Sequence, residues 1–501
     1  MREVGLSVPE TAELPGGPTA RWIAVLAGIV LCGIVAQRLC FADIPLNDNE
    51  SVGAALGDDL LHGARLYQDA IDVKPPGWIV LHAVAQAVVG RSDDAVRWLV
   101  AVSAATTTVF LALVGMRGFS PAAGLAAAAS YAVLSLAYHT QSWTANADLL
   151  CQPFIAAAAW AVLRSSPGAR NLWTAGALLL AASCIKQTAA ILWFGLFAWC
   201  AVRRDGRGAA WLASGSAAAG IAVWAAAGAP DLLATLRWGI AANFTHIGGE
   251  WGPHDAVQIR QRLELWRQVA VDHCAAIVAP LFFAATTAGS RSRARGLVFM
   301  WILLSVAELV VGNVRHSYWF HHLLPPLCVA LGVAIVSPLA SRVQVIGRLA
   351  LVVMNVATWS RTIPIYWQPD GLRVLDVAYL RDFRTGMGVG AKILAVSGPG
   401  ASLLVVGNHP EIYWYSRAHH ATPFLLHWFL ETFPDERARW DLALLRDPPE
   451  WVAVVAEERG SHSAFLRALL RNGYRSGVSF SGRQKVDLWH RVGPLEPRPG
   501  H

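Results

Sequence analysis

The chain has 501 residues, 55% of them hydrophobic and only 15% charged, whereas an ordinary soluble domain carries about 25% charged residues. That balance excludes a purely soluble enzyme. The net charge of +7 comes largely from arginines set between hydrophobic runs, a pattern of membrane orientation before any nucleic-acid role. Seven cysteines show neither paired nor metal-ligand spacing and lie mostly in apolar runs, which speaks for packing and against a disulfide framework.

In chain order, residues 1–20 are polar with Pro and Gly and read as a cytoplasmic tail, and the run from Trp22 to Cys40 reads as a retained signal anchor. The next stretch, from Ile44 to Trp78, holds Asp48, Glu50, Asp58, Asp59, Asp69 and Asp72, and one lysine, Lys74, directly before Pro75-Pro76. Carboxylates beside membrane-spanning sequence must face water, a cavity or a substrate. Val52, Leu56, Leu60 and Leu61 recur at helical spacing, which predicts an amphipathic helix lying along the membrane surface. Further apolar segments follow at 76–90, 96–116, 120–138, 149–164, 171–185, 187–202, 209–228, 270–289, 296–313, 322–339 and 345–363. Four arginine groups (Arg164 and Arg170; Arg203, Arg204 and Arg207; Arg291, Arg293 and Arg295; Arg342 and Arg348) fall on one side if spans alternate from 149 onward. Residues 139–148, 229–269, 314–321 and everything after 363 then lie outside, and with loop 42–75 also outside one segment between 76 and 138 does not cross. Segment 76–90, short and opened by Pro-Pro, is the one expected not to cross, leaving about eleven crossings. The outer loop 229–269 ends in a surface helix that carries Ile259, Leu263, Leu265 and Trp266.

From Gln368 charges become frequent. SLLVVG (402–407) and WVAVVAE (451–457) have buried-strand character between helical patterns at 373–394 and 461–472, which predicts a small α/β domain over 368–501 with a parallel two-strand core. The glycines at 386, 388 and 390 follow a helical stretch and not a strand, so they mark no dinucleotide site.

Chemistry concentrates in the first loop. Asp48 and Glu50 read either as a general base for an acceptor hydroxyl or as solvated acids and caps of the following helix. Lys74 reads as a point charge for a phosphate or as a lysine reaching the headgroups. His316, His321 and His322 have no Cys or carboxylate nearby in sequence and fit no standard zinc spacing; Tyr318, Trp319 and Phe320 read as an interfacial aromatic belt.

The pattern D-x-E after the first hydrophobic segment, then G-x-x-L-Y-x-D-x-x-D-x-K-P-P-G, resembles the first extracytoplasmic loop of the GT-C glycosyltransferases. The likeness is closest to the bacterial branch related to protein O-mannosyltransferases and lipid A aminoarabinose transferases. It implies an α-helical polytopic membrane protein of GT-C type, with about 11–12 transmembrane helices over 21–367 and a C-terminal extracytoplasmic α/β domain. The implied reaction moves a sugar from a polyprenyl-phosphate donor to a glycan, lipid or protein acceptor. The implied location is the cell inner membrane, with the active site and C-terminal domain on the periplasmic side. The family's adjacent Asp-Glu pair is spaced here as Asn47-Asp48-Asn49-Glu50, so the resemblance assigns the catalytic carboxylate to Asp48 or Glu50, with Asp48 first. It implies substrate-binding roles for Tyr67, Asp72 and Lys74, for Asp148 in the Asn-x-Asp run, for Lys186 of a Lys-Gln turn, and for Arg315 and His322 of the aromatic-histidine stretch. No soluble cofactor, metal site or nucleic-acid partner is implied, although several outer carboxylates leave room for a divalent cation. A transporter or flippase of a polyprenyl-linked or anionic substrate is the rival reading. It accounts poorly for the charged first loop and for the outer domain, and the internal repeats common in transporters are not found.

Overall fold

The computed structural model describes residues 18–41, 44–164, 170–243, 245, 256–288, 292–311, 316–337, 342–367, 383–455, 463–471, 473–481 and 485–492. Apolar composition makes the helices of its body, and short polar side chains delimit them. Ser92 accepts from the Ala95 amide at the start of α4 (Asp93–Gly118). Ser120 caps α5 (Pro121–Leu134), with Pro121 in the first turn, and Asp205 caps α10 (Gly206–Ala226). Small residues let backbones touch. A Cβ on Gly115 would lie 2.6 Å from the Gly124 Cα across the α4–α5 contact, and one on Gly176 of α8 (Asn171–Ile185) would strike the Leu212 carbonyl of α10. Such contacts replace the hydrophobic drive that lipid does not supply between helices.

Among the described residues four helical segments are long and apolar enough to cross a membrane: Asp93–Gly118, Ala147–Arg164, Gly206–Ala226 and Arg293–Val311. A fifth is a pair bent by 61°, Ile259–Asp272 with Cys274–Thr286, and seven shorter apolar helices have 10–17 residues. The eleven or so crossings expected from loop charge are therefore reached only with the shorter helices. One of these is α3 (Pro76–Val89), whose 14 residues rise about 21 Å, against about 30 Å of hydrocarbon.

Arginine-bearing ends gather at one end of the body. Arg117 and Arg164 sit in the last turns of α4 and α7 (Gln152–Arg164). Arg203, which closes α9 (Ala190–Val202), and Arg293, which opens α14 (Arg293–Val311), both lie over the Trp199 ring, at 4.5 and 5.3 Å. The first loop and the C-terminal domain meet at a different surface. Ile71 pairs with Phe424 in an isolated bridge, and its amide donates to the Pro423 carbonyl at 2.8 Å. His420 Nε2 lies 2.7 Å from Asp59 Oδ2, and the Arg91 guanidinium bonds both Asp58 and the Trp414 carbonyl.

Helix α2 (Asp48–Leu61) corrects one expectation. The spacing predicts one apolar face on the membrane surface, but every residue from Glu50 to Gly57 is buried. Gly53 and Gly57, four apart, bring the helix against α3: a Cβ on Gly57 would lie 2.8 Å from the Ala83 amide. With α3 on that side and the C-terminal domain on another, no long face is left for lipid.

The C-terminal domain carries a five-stranded sheet in the order β2-β1-β3-β5-β4. The expected parallel core is there: β1 (Ser402–Val406) pairs in parallel with β3 (Trp451–Val455), Leu403 opposite Trp451. The two-residue β2 (His419–His420) also lies parallel to β1. The antiparallel β4 (Tyr474–Ser481) and β5 (Lys485–Arg491) extend the sheet beyond the sequence-based expectation. The helical pattern expected from 373 is described from Phe383 to Ser397.

Candidate active site

A cavity of about 1270 Å³ lies where the first loop, the helical body and the C-terminal domain converge. Its wall divides by element. The loops and turns contribute Asp72, Lys74, Lys186 and His316, the first turn of α2 Asp48 and the helix Ala256–Asp272 Arg262, while α9, α10 and α14 contribute Ile191, Phe194, Val223, Trp224 and Val311. Asn408, just past β1, and Trp428 line it from the C-terminal domain. Among the described residues the lining thus has three permanent cations against two carboxylates, next to an apolar groove.

The Lys74 segment is held rigidly. Pro75 caps α3 with φ −65° and ψ 159°, and Pro76 fills its first position. Gln187 donates to the Val73 carbonyl at 2.8 Å, and Asn243 donates to the same oxygen. The Tyr67 hydroxyl donates to the Lys74 carbonyl at 2.9 Å. Burial first, then the Asp72 charge, pushes that phenol well above its ordinary pKa, so it stays a donor. Tyr67 has φ 64°, a costly conformation for a bulky residue, in a turn closed by the Arg65–Asp69 ion pair. Lys74 Nζ sits 3.3 Å from Asp72 Oδ2 and 4.1 Å from the Trp78 ring centre. Tyr67 itself does not line the main cavity but an adjoining cleft of about 560 Å³.

The two candidate bases separate cleanly. Asn47 and Glu50 form a capping box that starts α2, with Asp48 in the first turn between them. Asp48 is half-buried at the cavity, and its Oδ1 accepts from the Asn49 amide at 3.0 Å. Glu50 points elsewhere. It is fully buried, 2.5 Å from Arg97 Nη1, and accepts from the Ala145 amide at 2.9 Å and the Asn47 amide at 3.1 Å. Its oxygens are consumed in joining α2, α4 and the segment before Asp148.

Asp148 and His322 are brought together, behind the cavity wall. Lys186, at the end of α8, reaches the cavity, with Asp148 Oδ2 3.2 Å from its ammonium. His322 Nε2 lies 3.0 Å from Asp148 Oδ1. Neither Asp148 nor His322 lines the cavity. His321 turns to the Thr140 carbonyl, whereas His316 stacks on Tyr318 beside Trp319. Arg315 lies outside the described residues, as do His246, Glu250, Trp251 and His254 of the segment 229–269. Sequence reasoning missed Arg97, Arg262, Glu308, Asn408 and Trp428. Arg97 and Glu308 did carry a signal, since each is an ionisable residue in a strongly apolar run. Asn408 and Trp428, far along the chain in a polar domain, carried none.

Residues 73–242 match the family model described as dolichyl-phosphate-mannose-protein mannosyltransferase. No curated protein matches by sequence. Among solved structures, ArnT from Cupriavidus metallidurans bound to undecaprenyl phosphate superposes with a TM-score of 0.62 at 14% identity, covering 95% of this chain and 99% of that one. The archaeal oligosaccharyltransferase AglB from Archaeoglobus fulgidus, in complex with an inhibitory peptide and a dolichol-phosphate, gives 0.52 at 10% identity, over 92% of this chain and 73% of that one. The arabinofuranosyltransferase AftD from Mycobacteria gives 0.51 at 15% identity, over 95% of this chain and 40% of that one. Taken with the helical body and the C-terminal sheet, these likenesses give the chain a GT-C fold, with apolar helices that fit a multi-pass membrane protein.

Proposed function

We propose that this protein transfers a sugar from a polyprenyl-phosphate carrier to a glycan, lipid or protein acceptor at the periplasmic face of the inner membrane. The observation that carries the reading is the cavity's divided wall. A charged end with Lys74, Lys186 and Arg262 suits a phosphate, and the groove of Ile191, Phe194, Val223 and Trp224 suits a hydrocarbon chain. Phe194 and Trp224 are exposed on the outer surface of the helical body, so the groove opens toward lipid. The family model over 73–242, and the polyprenyl phosphates named with ArnT and AglB, support the same donor class.

Asp48 is the general base. Its carboxylate takes the proton of the acceptor hydroxyl, the oxygen attacks the anomeric carbon with inversion, and the bond from that carbon to the phosphate oxygen breaks. The electron pair leaves with the polyprenyl phosphate, whose charge Lys74 meets, with Asp72 and the Trp78 face holding the ammonium in place. Glu50 holds the loop and takes no part in proton transfer. No soluble cofactor enters this scheme. In this scheme Asn408 and Trp428, which line the cavity from the C-terminal domain, meet the acceptor.

The test is the surface glycan profile, by mass spectrometry, of a strain lacking the gene. One sugar unit should be missing, restored by the wild-type gene and not by Asp48→Asn. An unchanged profile, or full restoration by Asp48→Asn, would contradict the reading.

A further inference from the structure

Lys186 ends an apolar helix, where an ammonium is costly unless paired. Its partner Asp148 is itself partnered, and the pairing continues inward. Lys186 Nζ lies 3.2 Å from Asp148 Oδ2, Asp148 Oδ1 lies 3.0 Å from His322 Nε2, and His322 Nδ1 lies 2.9 Å from Glu308 Oε2. The three groups behind the lysine are buried, at 1%, 2% and 3% exposure. They come from the short α6 (Ala147–Leu150), the 3₁₀ turn Ser317–His322 and α14. Glu308 is the one acid in an apolar helix, a placement that packing alone does not favour.

A carboxylate oxygen lies within 3.0 Å of each ring nitrogen of His322, Asp148 in a hydrogen bond and Glu308 in an ion pair, and the imidazolium is the form whose charge suits both. Basic and acidic groups therefore alternate from the cavity inward. Asp148 divides its charge between Lys186 and His322, so the lysine is held without being fully neutralised. Its four-carbon stem, which would otherwise sample many rotamers, is fixed at the wall beside the Trp319 ring, 5.6 Å away.

We propose that Glu308 and His322 are positioning residues that act through Asp148 to hold Lys186 as a second phosphate-facing cation of the cavity. The inference rests on the lipid-phosphate reading and adds to it a device that reaches into the helical body. A lattice of buried charges that only joined helices would stabilise the fold and leave phosphate affinity to Lys74.

A double-mutant cycle separates the two. Undecaprenyl phosphate binding is measured by native mass spectrometry on the detergent-solubilised full chain, for wild type, Lys186→Met, Glu308→Gln and the double variant. Lys186→Met should weaken binding about tenfold, Glu308→Gln about three- to tenfold, and the double variant no more than Lys186→Met alone, because coupled residues are not additive. Glu308→Asp should recover part of the loss. Should Glu308→Gln not fold, Glu308→Asp and His322→Asn take its place in the cycle. Wild-type affinity in Glu308→Gln or His322→Asn, or losses that multiply in the double variant, would overturn the proposal. A wild-type protein that does not bind undecaprenyl phosphate would instead overturn the lipid-phosphate reading on which it rests.

Discussion

Asp48 and Glu50 stand two positions apart in the first turn of one helix, which turns their side chains about 200° from each other. One therefore meets the cavity and the other meets Arg97. The substitutions should part accordingly. Glu50→Gln leaves the Arg97 guanidinium buried without its counter-charge and should destabilise the folded protein by about 3–5 kcal/mol, read as a lower melting temperature and yield. Asp48→Asn should leave the melting temperature within error of wild type and lower the transfer rate about 10²–10⁴-fold. Two equally stable variants would contradict the division of labour. The acid pair was legible in the sequence because carboxylates beside apolar segments need a reason. Their separate destinations were not, since Arg97 and Ala145 come later in the chain and nothing local announces either contact. Lys74 was legible through its Pro-Pro neighbour, whereas the triad behind Lys186 required three distant elements to be brought together.

At the scale of elements, the seam between α2 and the C-terminal domain carries a pH dependence. His420 is held against Asp59 Oδ2 at 2.7 Å. Burial alone lowers the pKa of this histidine, but the hydrogen bond and charge of Asp59 win and raise it above the ordinary value. A raised histidine pKa contributes stability that is fully present below about pH 6.5, its unfolded value, and is lost as pH rises through the folded value. The difference in melting temperature between wild type and His420→Asn should thus be largest in mild acid and shrink as the medium becomes alkaline. A difference that grew with pH would contradict the assignment. The strands β1 and β3 were legible as β-branched apolar runs because both faces of each are covered. In β4 most residues are exposed, so its polar sequence resembles loop. The burial of α2 left a trace in Gly53 and Gly57, whose four-residue spacing marks a close helix contact more surely than the leucines mark a surface face.

For the molecule as a whole, the arginine rule and the contacts agree. Arg203 and Arg293 share Trp199 at one end of the body, and the first loop touches the C-terminal domain elsewhere. In a cysteine-depleted background, single cysteines at His62 and Arg475 should react with a membrane-impermeant maleimide in intact spheroplasts. One at Arg207 should react only after permeabilisation, and the reverse pattern would invert the topology. Apolar segments were legible one by one, but the span count was not, because several helices fall short of a bilayer's thickness.

In the proposed reaction the polar end of the cavity receives the phosphate of a polyprenyl carrier while Asp48 performs the proton transfer. This is tested most directly by measuring undecaprenyl phosphate affinity on the purified full-length protein for wild type, Asp48→Asn and Lys74→Ala. Wild type should bind, Asp48→Asn should keep an affinity within about twofold, and Lys74→Ala should bind at least about tenfold more weakly. Equal affinity for wild type and Lys74→Ala, or loss of binding in Asp48→Asn alone, would contradict it.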